Sequence, residues 1–225
     1  MSATNEAGDD WFRSADWGPK EQVRFEARLS RARKHNRPQY RRIKGLALLA
    51  SGDLEAVIAG RALLRAVVAD PQAPHSERVS ALSLLSDHEL GAGMLEEAEA
   101  DLREVLVLMQ TSRSGSTSLE EVWLAEILIR RGRPRDLLEA ERLLERSDAH
   151  RSIIVSVRFR FALVATRLAL ALGDRARAAQ RARSALDVAG RRSSGLVNRP
   201  TLGLVSLDPA TRTWLEGVVA SGPDL

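Results

Sequence analysis

Gly93–Met109 reads GMLEEAEADLREVLVLM. Leu95, Ala98, Leu102, Val105, Leu106 and Met109 recur at intervals of three and four, while Glu96, Glu97, Glu99, Asp101, Arg103 and Glu104 occupy the other positions. That is an amphipathic helix with one apolar stripe and one solvated face. The glycine that opens it has three counterparts: Gly52, Gly93, Gly132 and Gly173 are separated by 41, 39 and 41 residues. Each is followed shortly by an alanine (Ala56, Ala98, Ala140, Ala178) and preceded by another apolar helical stretch. A helix-turn-helix unit repeated at near-constant spacing stacks its neighbours into a continuous core. The expected fold is all-α: a right-handed α-solenoid of about four helical hairpins with N- and C-terminal capping helices.

Working outward, residues 1–10 are small, polar and acidic and read as a disordered N-terminus. Residues 11–221 read as one helical repeat domain. Trp11, Phe12 and Trp17 are followed by Gly18-Pro19, and Pro19 suits the first position of a capping helix over 19–34 supported by Val23, Phe25, Leu29 and Ala32. Asn36 or Arg37 caps the next helix at Pro38, the start of repeats spanning about 38–190. Ser118 with Glu121 forms a capping box after the Ser-rich linker Thr111–Ser118. From Val155 to Phe161 the chain alternates like a strand, yet its place in the repeat predicts a helix from about Ser152 to Leu172. Residues 190–207 are irregular. Asp208-Pro209 then caps a final helix, within a C-terminal cap at 208–220 carrying Trp214, Leu215 and Val218.

Composition narrows the class. Aromatic content is 4% and Leu and Ala dominate the apolar set, which favours helix over sheet. There is no cysteine, so thiolate zinc sites, thiol catalysis and disulfides are excluded. The longest apolar stretch, Ile153–Leu172, is interrupted by Arg158, Arg160 and Arg167, which argues against a membrane span. The N-terminus lacks the apolar segment of a secretory signal, and a cytoplasmic location is the simplest expectation. Net charge is +4, and the excess is concentrated: nine cations from Arg24 to Lys44 face only Glu26.

Gly93–Leu108 resembles the second helix of a tetratricopeptide repeat in its glycine, its acidic pair, its alanine and its apolar spacing. Gly52-Asp53 and Gly173-Asp174 match at the turn, and the resemblance covers about residues 38–190. The spacing exceeds the usual repeat of about 34 residues, so helices or connections are longer. WFRSADW (11–17), FEARLSRAR (25–33) and NRPQYRRIKGLALLASGD (36–53) together are similar to the opening of a group of bacterial tetratricopeptide-repeat proteins. The resemblance implies a helical-repeat fold that binds proteins or peptides in a concave groove lined by the first helix of each pair. Candidate polar groove residues are Arg41, Lys44, Arg78, Glu121, Arg158 and Arg167, a mostly cationic set suited to an acidic peptide. No Asn lies between Asn36 and Asn198, so the carboxylate clamp of chaperone-binding repeats is not invoked.

No catalytic constellation is legible. His88-Glu89 begins an HExxH pattern, but position 92 is Ala and the second zinc ligand is missing. Gly91 and Gly93 fit a helix-helix turn better than a phosphate loop, and there is no nucleophile-elbow motif. The chain is read as a non-enzyme that needs neither cofactor nor metal. The basic patch Arg24, Arg28, Arg31, Arg33 and Arg37 has two readings: solvated helix faces pairing with acids including Asp9, Asp10 and Asp16, or a phosphate-binding surface for nucleic acid. Trp11, Phe12, Trp17 and Trp214 serve either as caps over the solenoid ends or as anchors for a partner. The function expected is a protein- or peptide-binding scaffold or adaptor. The alternatives are nucleic-acid association through residues 24–44 and self-assembly through 190–207 and the terminal caps.

Overall fold

The computed structural model describes residues 11–111, 119–194 and 198–222. Among the described residues there are ten α-helices, two short 3-10 turns and no strand. Two compact units contain them, Met1–Ser114 and Gly115–Leu225. The repeat domain drawn from the sequence over 11–221 spans both. The disordered terminus assigned to 1–10, the Ser118 capping box and most of the Ser-rich linker lie outside the described residues.

The first unit holds α1 (Pro19–Arg31), α2 (Arg37–Leu49), α3 (Leu54–Ala69), α4 (His75–Gly91) and α5 (Leu95–Thr111). The second holds α6 (Leu119–Arg131), α7 (Pro134–Arg146), α8 (Val155–Ala171), α9 (Arg175–Ala189) and α10 (Pro209–Ala220). Four hairpins result: α2/α3 and α4/α5 in the first unit, α6/α7 and α8/α9 in the second. Each turns at one of the four periodic glycines, with φ of 75° at Gly52, 76° at Gly93, 69° at Gly132 and 77° at Gly173. That left-handed conformation penalises a side chain and explains why glycine recurs there. At Gly93 and Gly173 the following N–H bonds back five residues, Met94 to the Glu89 carbonyl (2.8 Å) and Asp174 to the Ala169 carbonyl (2.9 Å), closing the helix end. Asp53 and Asp174 then cap the next helix by accepting from the Ala56 and Arg177 amides. The recurring alanines Ala56, Ala98, Ala140 and Ala178 are all buried, so each hairpin crosses over a small side chain.

The first hairpin is closer still. A Cβ at Gly60 would meet the Gly45 carbonyl oxygen at 2.8 Å and Leu48 Cβ at 3.0 Å, so α2 and α3 approach nearly backbone to backbone. Their core, with α1, is Phe25, Leu29, Leu48, Ala56 and Leu63. α1 is shorter than the sequence suggested. It ends at Arg31, because Arg31 Nε donates to the Ala27 carbonyl and Arg37 donates to the Ala32 and Ser30 carbonyls, which satisfies the last turn from the side. A 3-10 turn at Lys34–Asn36 follows, and Asn36 precedes α2 without a side-chain cap. Val23, expected in the core, is 72% exposed.

In the second unit the alternating stretch is helical from Val155, three residues after the predicted start. α8 is buried nearly all round, with Val155, Val157, Phe161 and the whole run Ala162–Thr166 inside. A helix covered on several sides has no polar face to mark a 3.6-residue period, so a two-residue alternation in Val155–Phe161 carried no strand information. α10 begins at Pro209 behind the Asp208 cap, and Leu215, Trp214 and Val218 pack on Ala162, Leu163, Ala182 and Ala185. Part of the irregular 190–207 segment is pinned: Ser194 bonds to the Pro200 and Arg199 carbonyls.

Two glycine substitutions separate close packing from helix propensity. Gly60→Ala is expected to destabilise the first unit by roughly 1–3 kcal/mol, because backbone must move to admit the methyl group. Gly217→Ala, in a helix with nothing within 4 Å of the added atom, is expected to stabilise by roughly 0.5–1 kcal/mol. Urea unfolding of both variants against the parent chain checks the opposite signs.

Candidate functional site

The residues before α1 fold back over the first hairpin. Trp11 stacks against Phe25 (5.2 Å between centroids) and Tyr40 (5.2 Å), Phe12 against Tyr40 (4.8 Å), and Trp17 edge-on against Phe25 (5.7 Å). These contacts turn residues 11–17 into a strap over α1 and α2. Lys44, on α2, fastens it. Its side chain is only 2% exposed, and Nζ donates to the Ser14 carbonyl (2.6 Å) and the Asp16 carbonyl (2.9 Å), with the Trp17 ring 5.4 Å away. Burial pushes the Lys44 pKa below its ordinary value, against the opposing pull of Asp16 and Glu21. Lys44 is therefore not a groove ligand but the post to which the strap is tied.

Between strap and α1 lies a cleft of about 350 Å³. Trp11 and Phe25 supply its apolar walls, Arg24, Arg28 and Lys44 its cations, and Asp16 and Glu21 its acids. The Arg28 guanidinium sits 6.0 Å over the Trp11 ring. Four residues singled out from sequence for separate reasons, Trp11, Arg24, Arg28 and Lys44, thus line one cavity. Of the basic patch, Arg31 and Arg37 close the end of α1. Arg24, Arg28 and Arg33 have no acidic partner among the described residues. Asp16, expected to neutralise the patch, is hydrogen-bonded to Ser14 instead, and Asp9 and Asp10 lie outside the described residues.

The remaining groove candidates are held differently. Arg41 is 4.0 Å from Asp70. Arg78 and Arg158 are half-buried, each with a buried Nε that has no hydrogen-bond partner. Glu121 is half-buried with one partnerless oxygen, and burial pushes its carboxyl above the usual range. Arg167 pairs with Glu126 (2.9 Å) and lies 5.8 Å over the Trp214 ring.

Sequence reading missed the acids that organise these arginines. Glu126 on α6, 2% exposed, accepts from Arg130 on its own helix (2.9 Å) and from Arg160 (2.6 Å) and Arg167 (2.9 Å) on α8. In the first unit Glu89 on α4 is fully buried and accepts from Arg61 and Arg65 of α3, both at 3.0 Å. Arg65 also pairs with Asp101 on α5, a residue the periodicity had placed on a solvated face. Two further pairs join helices across hairpins, Arg42–Glu77 and Arg177–Glu141, both at 2.6 Å. Four of these pairs join partners 34 to 36 residues apart: Arg42–Glu77 by 35, Arg65–Asp101 by 36, Glu126–Arg160 by 34 and Glu141–Arg177 by 36. That recurrence was the one signal in the sequence able to reveal them.

Among the described residues no group of His, Asp and Glu is arranged to hold a metal ion, and no helix is long and apolar enough to cross a membrane. No protein-family model, curated protein or solved structure matches the chain.

Removing the hub acid strands three arginines. Glu126→Ala is expected to cost the second unit about 3 kcal/mol in urea unfolding, the low end for a broken buried pair because the guanidinium heads reach solvent. A loss under about 1 kcal/mol would place these pairs with ordinary surface ones. Glu89 predicts a pH effect. Burial first, and then the charge of Asp101, push its carboxyl above the usual range despite its arginines. The folded chain then binds more protons than the unfolded chain between the ordinary and the raised pKa, so its stability falls as pH rises through that window. The stability of the parent relative to Glu89→Gln should therefore fall from about pH 4 towards neutrality; a rise would reverse the assignment.

Proposed function

We propose that this chain is a non-catalytic binding module that holds an acidic segment of another protein against the cationic face of α1. One observation supports the reading most: Arg24 and Arg28 on α1 and Arg33 just beyond it lie close together without an acidic partner among the described residues, and two of them line the cleft beside Trp11. Free cationic surface steers and holds anionic partners, and spent cations do not. The module is built from degenerate tetratricopeptide-like hairpins of a right-handed solenoid. The buried alanines, the left-handed glycine turns and the ion pairs recurring near 35 residues support that architecture. In this reading the partner sits on α1 rather than on the first-helix positions, where Arg41, Lys44 and Arg167 have internal contacts and Arg78, Glu121 and Arg158 are half-buried.

Fluorescence anisotropy with a labelled oligoglutamate peptide and a labelled single-stranded oligonucleotide tests this directly. Binding of the peptide, weakened at least tenfold by Arg24→Glu with Arg28→Glu and Arg33→Glu, is the expected result. Tighter binding of the oligonucleotide, with affinity falling several decades between low and moderate salt, would replace the protein partner with nucleic acid.

A further inference from the structure

We infer that the cleft between the strap and α1 is a pocket for a single carboxylate side chain next to a large apolar one, presented by an extended peptide. The inference rests on the acidic-partner reading above and adds what decides register and selectivity within that partner.

The cationic side of the cleft is prearranged. Arg24 and Arg28 are one helical turn apart and project from the same face of α1. The Arg28 guanidinium lies over the Trp11 ring. At 6.0 Å from the ring centre the guanidinium is within reach of a cation–π contact, and its forked N–H groups suit two parallel bonds to a carboxylate. Lys44, at the base of the cleft, has three donors and uses two on the strap carbonyls. The apolar side is built too: Trp11 packs on both Phe25 and Tyr40, so its exposed surface meets a ligand with little further loss of rotamer freedom.

The acids in the cleft set its limits. Asp16 and Glu21 lie beside the cations. Glu21 is seven residues before Arg28, a separation of roughly 10 Å along the helix. A nucleic-acid strand, with a charge on every residue, brings charges against Asp16 and Glu21 as well as against Arg24 and Arg28. A lone carboxylate flanked by an apolar residue meets only the complementary part. Mixed charge in the cleft therefore favours a spaced carboxylate over the dense charge of a nucleic-acid strand.

The test uses the full chain and two labelled ten-residue peptides. Both carry three glutamates separated by serines; in one, a leucine follows each glutamate, and in the other serine replaces every leucine. The chain's 4 tryptophans, labelled as 5-fluorotryptophan, give separate ¹⁹F resonances assigned by single Trp→Phe variants. The leucine peptide is expected to bind at least tenfold more tightly than the serine peptide. It should move the Trp11 resonance and leave Trp123 and Trp214 in place. Arg24→Gln with Arg28→Gln, two changes outside the apolar core, should erase that preference. Equal binding of the two peptides, still sensitive to the arginine substitutions, would overturn the pocket and keep the cationic face. Leucine-dependent binding with an unmoved Trp11 resonance would overturn the pocket as well. No binding of either peptide would overturn both readings.

Discussion

Buried carboxylates facing arginines from neighbouring hairpins are the constraint on which the helices of each unit depend. The hairpins cross over alanines, and the aromatic residues gather at the strap and around α8 and α10 rather than between repeats. Leucines such as Leu64, Leu85, Leu102 and Leu128 fill the rest of the interior, and an apolar surface of that kind tolerates repacking and specifies position weakly. Glu89, Asp101 and Glu126 supply what that surface lacks. Each is inside, each meets guanidinium groups from another helix, and each leaves a costly unpaired charge if the helices slide. Glu126 binds α6 to α8, and Arg65 joins Glu89 of α4 to Asp101 of α5 while standing on α3. Registry in each unit is thus electrostatic as much as apolar.

Helical hairpins with glycine turns were legible because their causes are local. Gly93 and Gly173 need positive φ, Asp53 and Asp208 cap the amide three residues on, and Pro19 and Pro209 open helices. These effects act within a few residues and leave a direct mark on the chain. The misplaced details depend on contacts far along it. Asp101 falls in a row of acids that reads as solvated, and nothing local distinguishes it from Glu97 until Arg65 is placed beside it. α1 stops early because Arg37, beyond its end, reaches back for its carbonyls. The start of α8 looked like a strand because burial on several sides removed the polar face that reveals helical period.

The candidate site was legible as a list and not as a place. Trp11, Arg24, Arg28 and Lys44 were each picked out, for aromatic clustering, for charge density and for position on a first helix. Only the fold of the strap onto α1 brings them to one cavity. Conversely, the basic run looked uniform from sequence, and structure sorts it by employment. Arg31 and Arg37 finish a helix, Arg41 and Arg42 face acids, Lys44 holds a backbone, and Arg24, Arg28 and Arg33 are left over. Charge density in a sequence counts cations; function depends on the remainder after internal neutralisation.

Lys44 fastens the strap through two main-chain oxygens rather than through the side chains of Ser14 and Asp16. The knot is therefore blind to sequence at those positions. Substitution along residues 13–16 is free to recolour one wall of the cleft without untying it, so the chemistry that the cavity prefers and the bond that builds the cavity are inherited separately. Sequence change along the strap can therefore alter the cavity wall while Lys44 keeps the same architecture.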